Sequence, residues 1–165
     1  MKTNNNQGFS LIEMLVVLTI FTVIALVSSE TIILTLIGAK KAGSISKVRQ
    51  NLDLAIGQME RQLHNAKSIS ECPNSDTSQI SFADGNNNLV NFSCVGVNNN
   101  NQPSYVASSS ASLTSSDITI TSCSFVCTPG TGNAPPYVTI SITAKEINGS
   151  SAPITSTTQV TLRSY

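Results

Sequence analysis

From Leu11 to Val27 the chain reads LIEMLVVLTIFTVIALV, and TIILTLI prolongs the apolar run beyond Ser28, Ser29 and Glu30. A helix needs roughly 20 apolar residues to cross a bilayer. The run therefore predicts a transmembrane helix over residues 9–37 and requires the rest of the chain to fold around an anchored N-terminal segment. Before it stands the short polar stretch MKTNNNQG, whose one charge is Lys2. Inside it, Glu13 is the exception: a carboxylate near the start of an apolar helix costs several kcal/mol unless it snorkels or finds a partner. Glu30 either pairs inside an assembly of such helices or marks the place where the helix leaves the bilayer, and the second is the expectation.

After Gly38 the hydrophobicity falls but the helical period continues. Ile45, Val48, Leu52, Ile56, Met59, Leu63 and Ala66 recur at steps of three or four, with Lys47, Arg49, Glu60 and Arg61 off that stripe. Gly38 and Gly43 soften a helix by about 1 kcal/mol each relative to Ala, yet no proline occurs before Pro73. One long helix ending near Ile69 is predicted, with residues 38–70 as its amphipathic continuation. Beyond Pro73 the pattern changes to short β-type runs, QISFA, LVNFSC, DITIT, PYVTISIT and TTQVTLR, with Asp84-Gly85 between the first two. The expected fold class is α+β: a long N-terminal helix, half transmembrane and half amphipathic, packed on a C-terminal antiparallel β-sheet head at residues 71–165. The alternative, a β-domain carried on a bare helical stalk, would leave the apolar stripe unburied.

The segment GFSLIEMLVVLTIFTVIALV, Gly8 to Val27, resembles the type IV prepilin signal: glycine at the cleavage site, phenylalanine after it, and glutamate five residues into the mature chain. These are Gly8, Phe9 and Glu13. The resemblance covers about the first thirty residues and is shared by type IV pilins, type II secretion pseudopilins and competence pseudopilins. It implies that residues 1–8 are a leader, that a prepilin peptidase cuts between Gly8 and Phe9, and that the same enzyme N-methylates Phe9. A residue with no side chain before the scissile bond lets the enzyme approach the backbone closely. The resemblance further implies that Glu13 meets the Phe9 amine of a neighbouring subunit during assembly. The implied partners are other pilin or pseudopilin subunits, the peptidase and methylase, an assembly platform in the inner membrane, and the lipid bilayer. The implied location is the cytoplasmic membrane before assembly, with an extracytoplasmic head, and a surface or periplasm-spanning filament afterwards. Major type IV pilins often carry a kinking proline where this chain has Glu30, and a C-terminal cysteine-bounded loop not evident here. MERQLHNAKSI and TTQVTLRSY are broadly similar to J-like pseudopilins and minor pilins, which favours a minor or pseudopilin subunit.

The remaining composition agrees with export. At 165 residues there is room for one head and an anchor. Nine basic residues balance nine acidic ones and only 11% of residues are charged, so no electrostatic footprint speaks for nucleic acid. Polarity comes from Ser, Thr and Asn, as in Asn98 to Asn101 and Ser108 to Ser110, and four cysteines accompany one histidine, a pattern of oxidising compartments. Lys40 and Lys41 follow the apolar run, and the positive-inside rule read literally would place the head in the cytoplasm; the processing motif and the cysteines outweigh it.

Cys72, Cys94, Cys123 and Cys127 allow three pairings. Cys72 follows the helix and Cys94 ends a strand, so Cys72–Cys94 is expected, leaving Cys123–Cys127. Residues four apart in a regular strand lie roughly 13 Å from each other, so that second pair requires a turn or bulge within SCSFVC. The spacing is not that of a zinc site, and no metal or cofactor is expected. Asp76 and Asp84 suit turns better than a calcium loop, His64 sits beside the apolar stripe, and no serine or cysteine has the context of a nucleophile, so no enzyme is expected. Asn91-Phe92-Ser93 and Asn148-Gly149-Ser150 match the glycosylation pattern. The competing functional class is a secreted soluble binding protein or enzyme, cut by an ordinary signal peptidase after Ser29, where Val27 and Ser29 occupy the small-residue positions.

Overall fold

The computed structural model describes residues 8–72, 74–97, 104–131, 134–147, 149 and 151–162. The chain divides into two compact units, Met1–Lys40 and Lys41–Tyr165. Helix α1 spans Leu11–His64, continuous through Gly38 and Gly43. It stops at His64 rather than near Ile69. Asn65 turns the chain, its side-chain amide donating to the Arg61 carbonyl at 3.0 Å, and Ala66 N–H donates to the Leu63 carbonyl. Lys67 N–H then donates to Ala83 O at 2.9 Å, drawing the next residues into a sheet. Sheet hydrogen bonds thus win over one more helical turn, and Arg61 and His64 lie in the last turn, where the helix dipole favours cations.

The second unit carries two antiparallel sheets where one was expected. The first has the order β1 (Ser68–Ile69), β3 (Gln79–Ala83), β4 (Leu89–Val95), β5 (Tyr105–Ser108), β6 (Ala111–Ser112). The second has the order β2 (Asp76–Thr77), β7 (Ile118–Thr128), β8 (Tyr137–Glu146), β9 (Ile154–Thr161). All five sequence-predicted runs fall on strands. Ser104 joins the sheets just before β5: its buried hydroxyl donates to Ile120 O at 2.6 Å and lies 2.7 Å from the Thr119 hydroxyl, while its own carbonyl accepts from Ile120 N–H. A buried hydroxyl so satisfied costs little and orients the two layers.

Strand β7 shows how burial sets register. Ile118 and Ile120 are buried, as are Phe125 and Cys127, and the change from even to odd positions occurs across a bulge between Ile120 and Ser122. Without that extra residue, Phe125 would point to solvent. The bulge lies before Cys123, so Cys123 and Cys127 sit in regular β structure, too far apart to join each other. The expected pairs Cys72–Cys94 and Cys123–Cys127 are therefore corrected: the bonds are Cys72–Cys127 and Cys94–Cys123, with Cα separations of 4.9 and 6.0 Å. Cys94 in β4 and Cys123 in β7 clamp the two sheets together. Cys72 ties the segment after the helix to the end of β7.

One core fills this unit. Val48, Leu52, Ile56, Met59, Leu63 and Ala66 of the predicted stripe are buried, joined by Ala55, against Phe82, Phe92, Phe125, Ile140, Ile142 and Val160. Ile45 is half-buried at the end of the stripe. Outside the core, Lys47 lies 3.1 Å from Asp117 and 3.7 Å from Glu146, and the half-exposed setting limits what such pairs contribute.

The β3–β4 hairpin turns where Asp84-Gly85 predicted it, but the left-handed residue is Asn87, at φ 64°. Asp84 organises the turn: one carboxylate oxygen accepts from the N–H groups of Asn86 and Asn88, each at 2.8 Å. These bonds, Asn88 N–H foremost, lower its pKa below the ordinary carboxylate value. A depressed carboxylate stabilises the fold above its unfolded value and loses that contribution as pH falls through its folded value. Asp84 is thus expected to titrate below the ordinary carboxylate range, and amide protection at Asn88 to weaken in the same acidic step. Asp84→Ala should abolish both, and an NMR titration with Asp84 at or above the model-peptide value of about 3.9 would remove the turn assignment.

Candidate processing and assembly segment

Gly8, Phe9 and Ser10 precede the helix in non-helical conformation. The Ser10 carbonyl accepts the first helical bonds, from Glu13 N–H at 3.0 Å and Met14 N–H at 3.3 Å. Cleavage at an open peptide bond needs an accessible backbone, and Gly8 and Phe9 supply one: among the described residues beyond its chain neighbours, no atom lies within 4 Å of a Cβ built on Gly8, and Phe9 is 79% exposed. Glu13 falls in the first turn of α1, where unpaired N–H groups and the dipole favour an anion. Its carboxylate is exposed and has no hydrogen-bond or ion-pair partner among the described residues. The Ser10-x-x-Glu13 spacing, that of a capping box, is a sequence signal for the helix start at Leu11.

Every large apolar residue from Phe9 to Ile37 is exposed, an area far beyond what a soluble surface leaves open. From Thr19 to Thr35 the hydroxyls are satisfied within the helix. Thr19 bonds back to Val16 O, Thr22 to Leu18 O and Thr19 O, Ser28 to Ile24 O, Ser29 to Ala25 O, Thr31 to Val27 O and Thr35 to Ile32 O. A helix with its backbone and hydroxyls bonded internally is suited to hydrocarbon, where each unpaired polar group costs several kcal/mol. By length and composition it can cross a bilayer. That leaves Glu13 and Glu30 as the two charged groups of the apolar segment, both exposed.

The other sites considered from sequence fall elsewhere. Asp84 belongs to the hairpin turn, and Asp76 lies in β2. His64 is exposed at the end of α1. Asn91 sits in the middle of β4 between β3 and β5 with its side-chain oxygen buried, a poor acceptor for a glycan. Lys2, Pro73, Asn98 to Asn101, Asn148 and Ser150 lie outside the described residues.

The fold is a pilin-like α+β one with an exposed apolar N-terminal helix long and apolar enough to cross a bilayer. Comparison with known families agrees: residues 3–29 match the family described as the prokaryotic N-terminal methylation motif. The match contains Gly8, Phe9, Glu13 and the first part of the apolar run, and supports a type IV pilin-like protein. With the helix, it supports anchoring in the inner membrane before assembly. No curated protein and no solved structure matches the chain.

Proposed function

We propose that this chain is a structural subunit, a minor pilin or pseudopilin, of a type IV pilus-like or type II secretion filament. A prepilin peptidase cuts it between Gly8 and Phe9 and methylates Phe9. The mature helix then leaves the bilayer to pack among the helices of neighbouring subunits, with Glu13 facing the Phe9 amine of a neighbour and the β head outside the cytoplasm. The observation that carries the reading is the open Gly8-Phe9 step placed directly before an exposed apolar helix whose one early charge, Glu13, has no partner among the described residues. The chain is then a substrate of the peptidase and a building unit, not a catalyst, with no cofactor required.

The competing reading, signal-peptidase cleavage after Ser29, is disfavoured by local structure. Ser28 and Ser29 lie in mid-helix with hydroxyls bonded to Ile24 O and Ala25 O, whereas a protease site needs an extended backbone. Mass spectrometry of the membrane fraction is expected to find a terminal peptide beginning at Phe9 and carrying one added methyl. A mature chain beginning at Glu30 would overturn the filament reading.

A further inference from the structure

The two sheets end in four edges, and three are blunt. Strands β1, β2 and β6 have two residues each, the short-edge device by which proteins avoid pairing with other chains. The fourth edge, β9, is 8 residues long and reads ITSTTQVT. It carries no charge, proline or glycine, and β-branched residues dominate it, a composition suited to strand pairing. Among the described residues, no charge, proline or bulge on β9 protects this edge.

The free side of β9 can be assigned residue by residue. Leu162 N–H donates to Pro136 O at 3.0 Å, continuing a register in which Thr161 faces Tyr137 and Val160 faces Val138. Antiparallel ladders alternate bonded and non-bonded pairs, so Ile154, Ser156, Thr158 and Val160 bond inward to β8. The N–H and C=O groups of Thr155, Thr157, Gln159 and Thr161 face away from the sheet. Among the described residues no other hydrogen bond reaches those groups. Gln159 and Thr161 also border an open groove of about 550 Å³ with Glu60, Arg61 and His64, so this stretch of edge lies beside open space.

We infer that β9 is a pairing edge whose partner is β9 of a second copy of this chain, forming an antiparallel two-stranded junction between two heads. Among the described edges, β9 is the one long enough to match β9 over its length. The match is also self-complementary: with Thr158 facing Thr158 on the two-fold axis, Thr157 meets Gln159 and Thr155 meets Thr161, and every outward N–H and C=O of both strands finds a partner. The cross-strand side chains are neutral and polar, so no like charges oppose. Such an isologous contact closes at two copies. It does not propagate a filament but ties one head to one other, and it holds whether or not the filament reading does.

Mixed-cysteine cross-linking of the full-length protein in detergent tests this. All four native cysteines are in disulfides, so introduced thiols are the reactive ones. Bonded antiparallel pairs have Cα atoms about 5.5 Å apart, within disulfide reach, while Thr157 to Thr157 across the junction is out of reach. Mixing Thr157→Cys with Gln159→Cys protein and oxidising should yield covalent dimer at least tenfold above either variant alone, and above an exposed Leu54→Cys control. Thr155→Pro, which removes an outward N–H that the monomer ladder does not use, should cut that yield tenfold while the unfolding temperature of the head falls no further than in Thr155→Ala, which loses the same exposed hydroxyl bond to Thr143. If proline unsettles the strand, Thr155→Lys should do the same by charge. Yields no higher than the Leu54→Cys control, insensitivity to both Thr155→Pro and Thr155→Lys, or capture of a different membrane protein in place of the dimer would each overturn the inference.

Discussion

Glu13→Ala protein is expected to be cleaved after Gly8 as efficiently as wild type and to be depleted from the filament fraction by roughly tenfold or more. On the proposed function, cleavage depends on the open backbone at Gly8 and Phe9, which lies before the helix and is untouched by the substitution. Assembly is a different problem. In lipid the apolar side chains from Leu11 to Ile37 gain little by meeting other apolar helices, because hydrocarbon already surrounds them. Packing and a few polar contacts must then select one register. A polar contact between helices in a membrane contributes about 1–2 kcal/mol at best, and 1.4 kcal/mol is a factor of ten in occupancy. Glu13 is the early charge available for such a contact, and its partner would be the amine created by cleavage. Alanine preserves helix propensity, so the helix itself should persist. Glu13→Gln, which keeps a hydrogen-bonding side chain without the charge, separates an ionic contact from a hydrogen bond. If processed Glu13→Ala protein co-purifies with filaments at the wild-type level, the intersubunit role of Glu13 is wrong.

The largest stability effect is expected at Phe92. Its ring is fully buried in β4, 5.1 Å from the Phe82 centroid in a tilted pair and 6.5 Å from that of Phe125 in a stacked one. It thus sits where the two sheets meet, close to the bond that joins Cys94 to Cys123. Phe92→Ala removes transfer energy, two aromatic contacts and packing that its neighbours cannot replace without backbone movement. Such a change costs about 3–5 kcal/mol, a large share of the roughly 5–15 kcal/mol available to a domain. The head should melt on the order of 10 °C or more lower, read by circular dichroism with disulfides intact. Leu54→Ala supplies the comparison: Leu54 lies on the same helix as the buried stripe but is 74% exposed, and its loss should stay within about 0.5 kcal/mol. Equal effects at the two positions would mean that this core does not hold the head together.

Both predictions begin from features legible along the chain. Helix α1 could be read because its signal is local: an apolar run of membrane length, then a stripe with helical period, with no proline to stop it. Gly8, Phe9 and Glu13 were legible for the same reason, being adjacent in sequence. The strand runs followed from composition and alternation, and QISFA matches β3 residue for residue. What could not be read were the consequences of which strands become neighbours. Helix α1 ends at His64, short of the end that periodicity predicts, because Lys67 N–H bonds to Ala83 O, a competitor invisible to periodicity.

The cysteine pairing has the same cause. Placement at the end of the helix and the end of a strand points to Cys72–Cys94, but Cys94 lies on the first sheet and bonds to Cys123 of β7 in the second, and the distance between strands of different sheets is a property of the packed layers. The bulge after Ile120 belongs to this class as well: it exists so that Phe125 can turn inward after Ile118 and Ile120, a choice made by the core. Strand β9 was predicted from its residues, yet its status as an edge follows from the order β2-β7-β8-β9, which no local pattern encodes. Sequence alone determined the apolar N-terminal run, the motif around Gly8 and the longer helix and strand segments, because those depend on residues within a turn or two of one another. Tertiary structure alone decided the pairings, the inward phase of β7 and the open edge, because burial and hydrogen-bond satisfaction are settled between residues far apart in the chain.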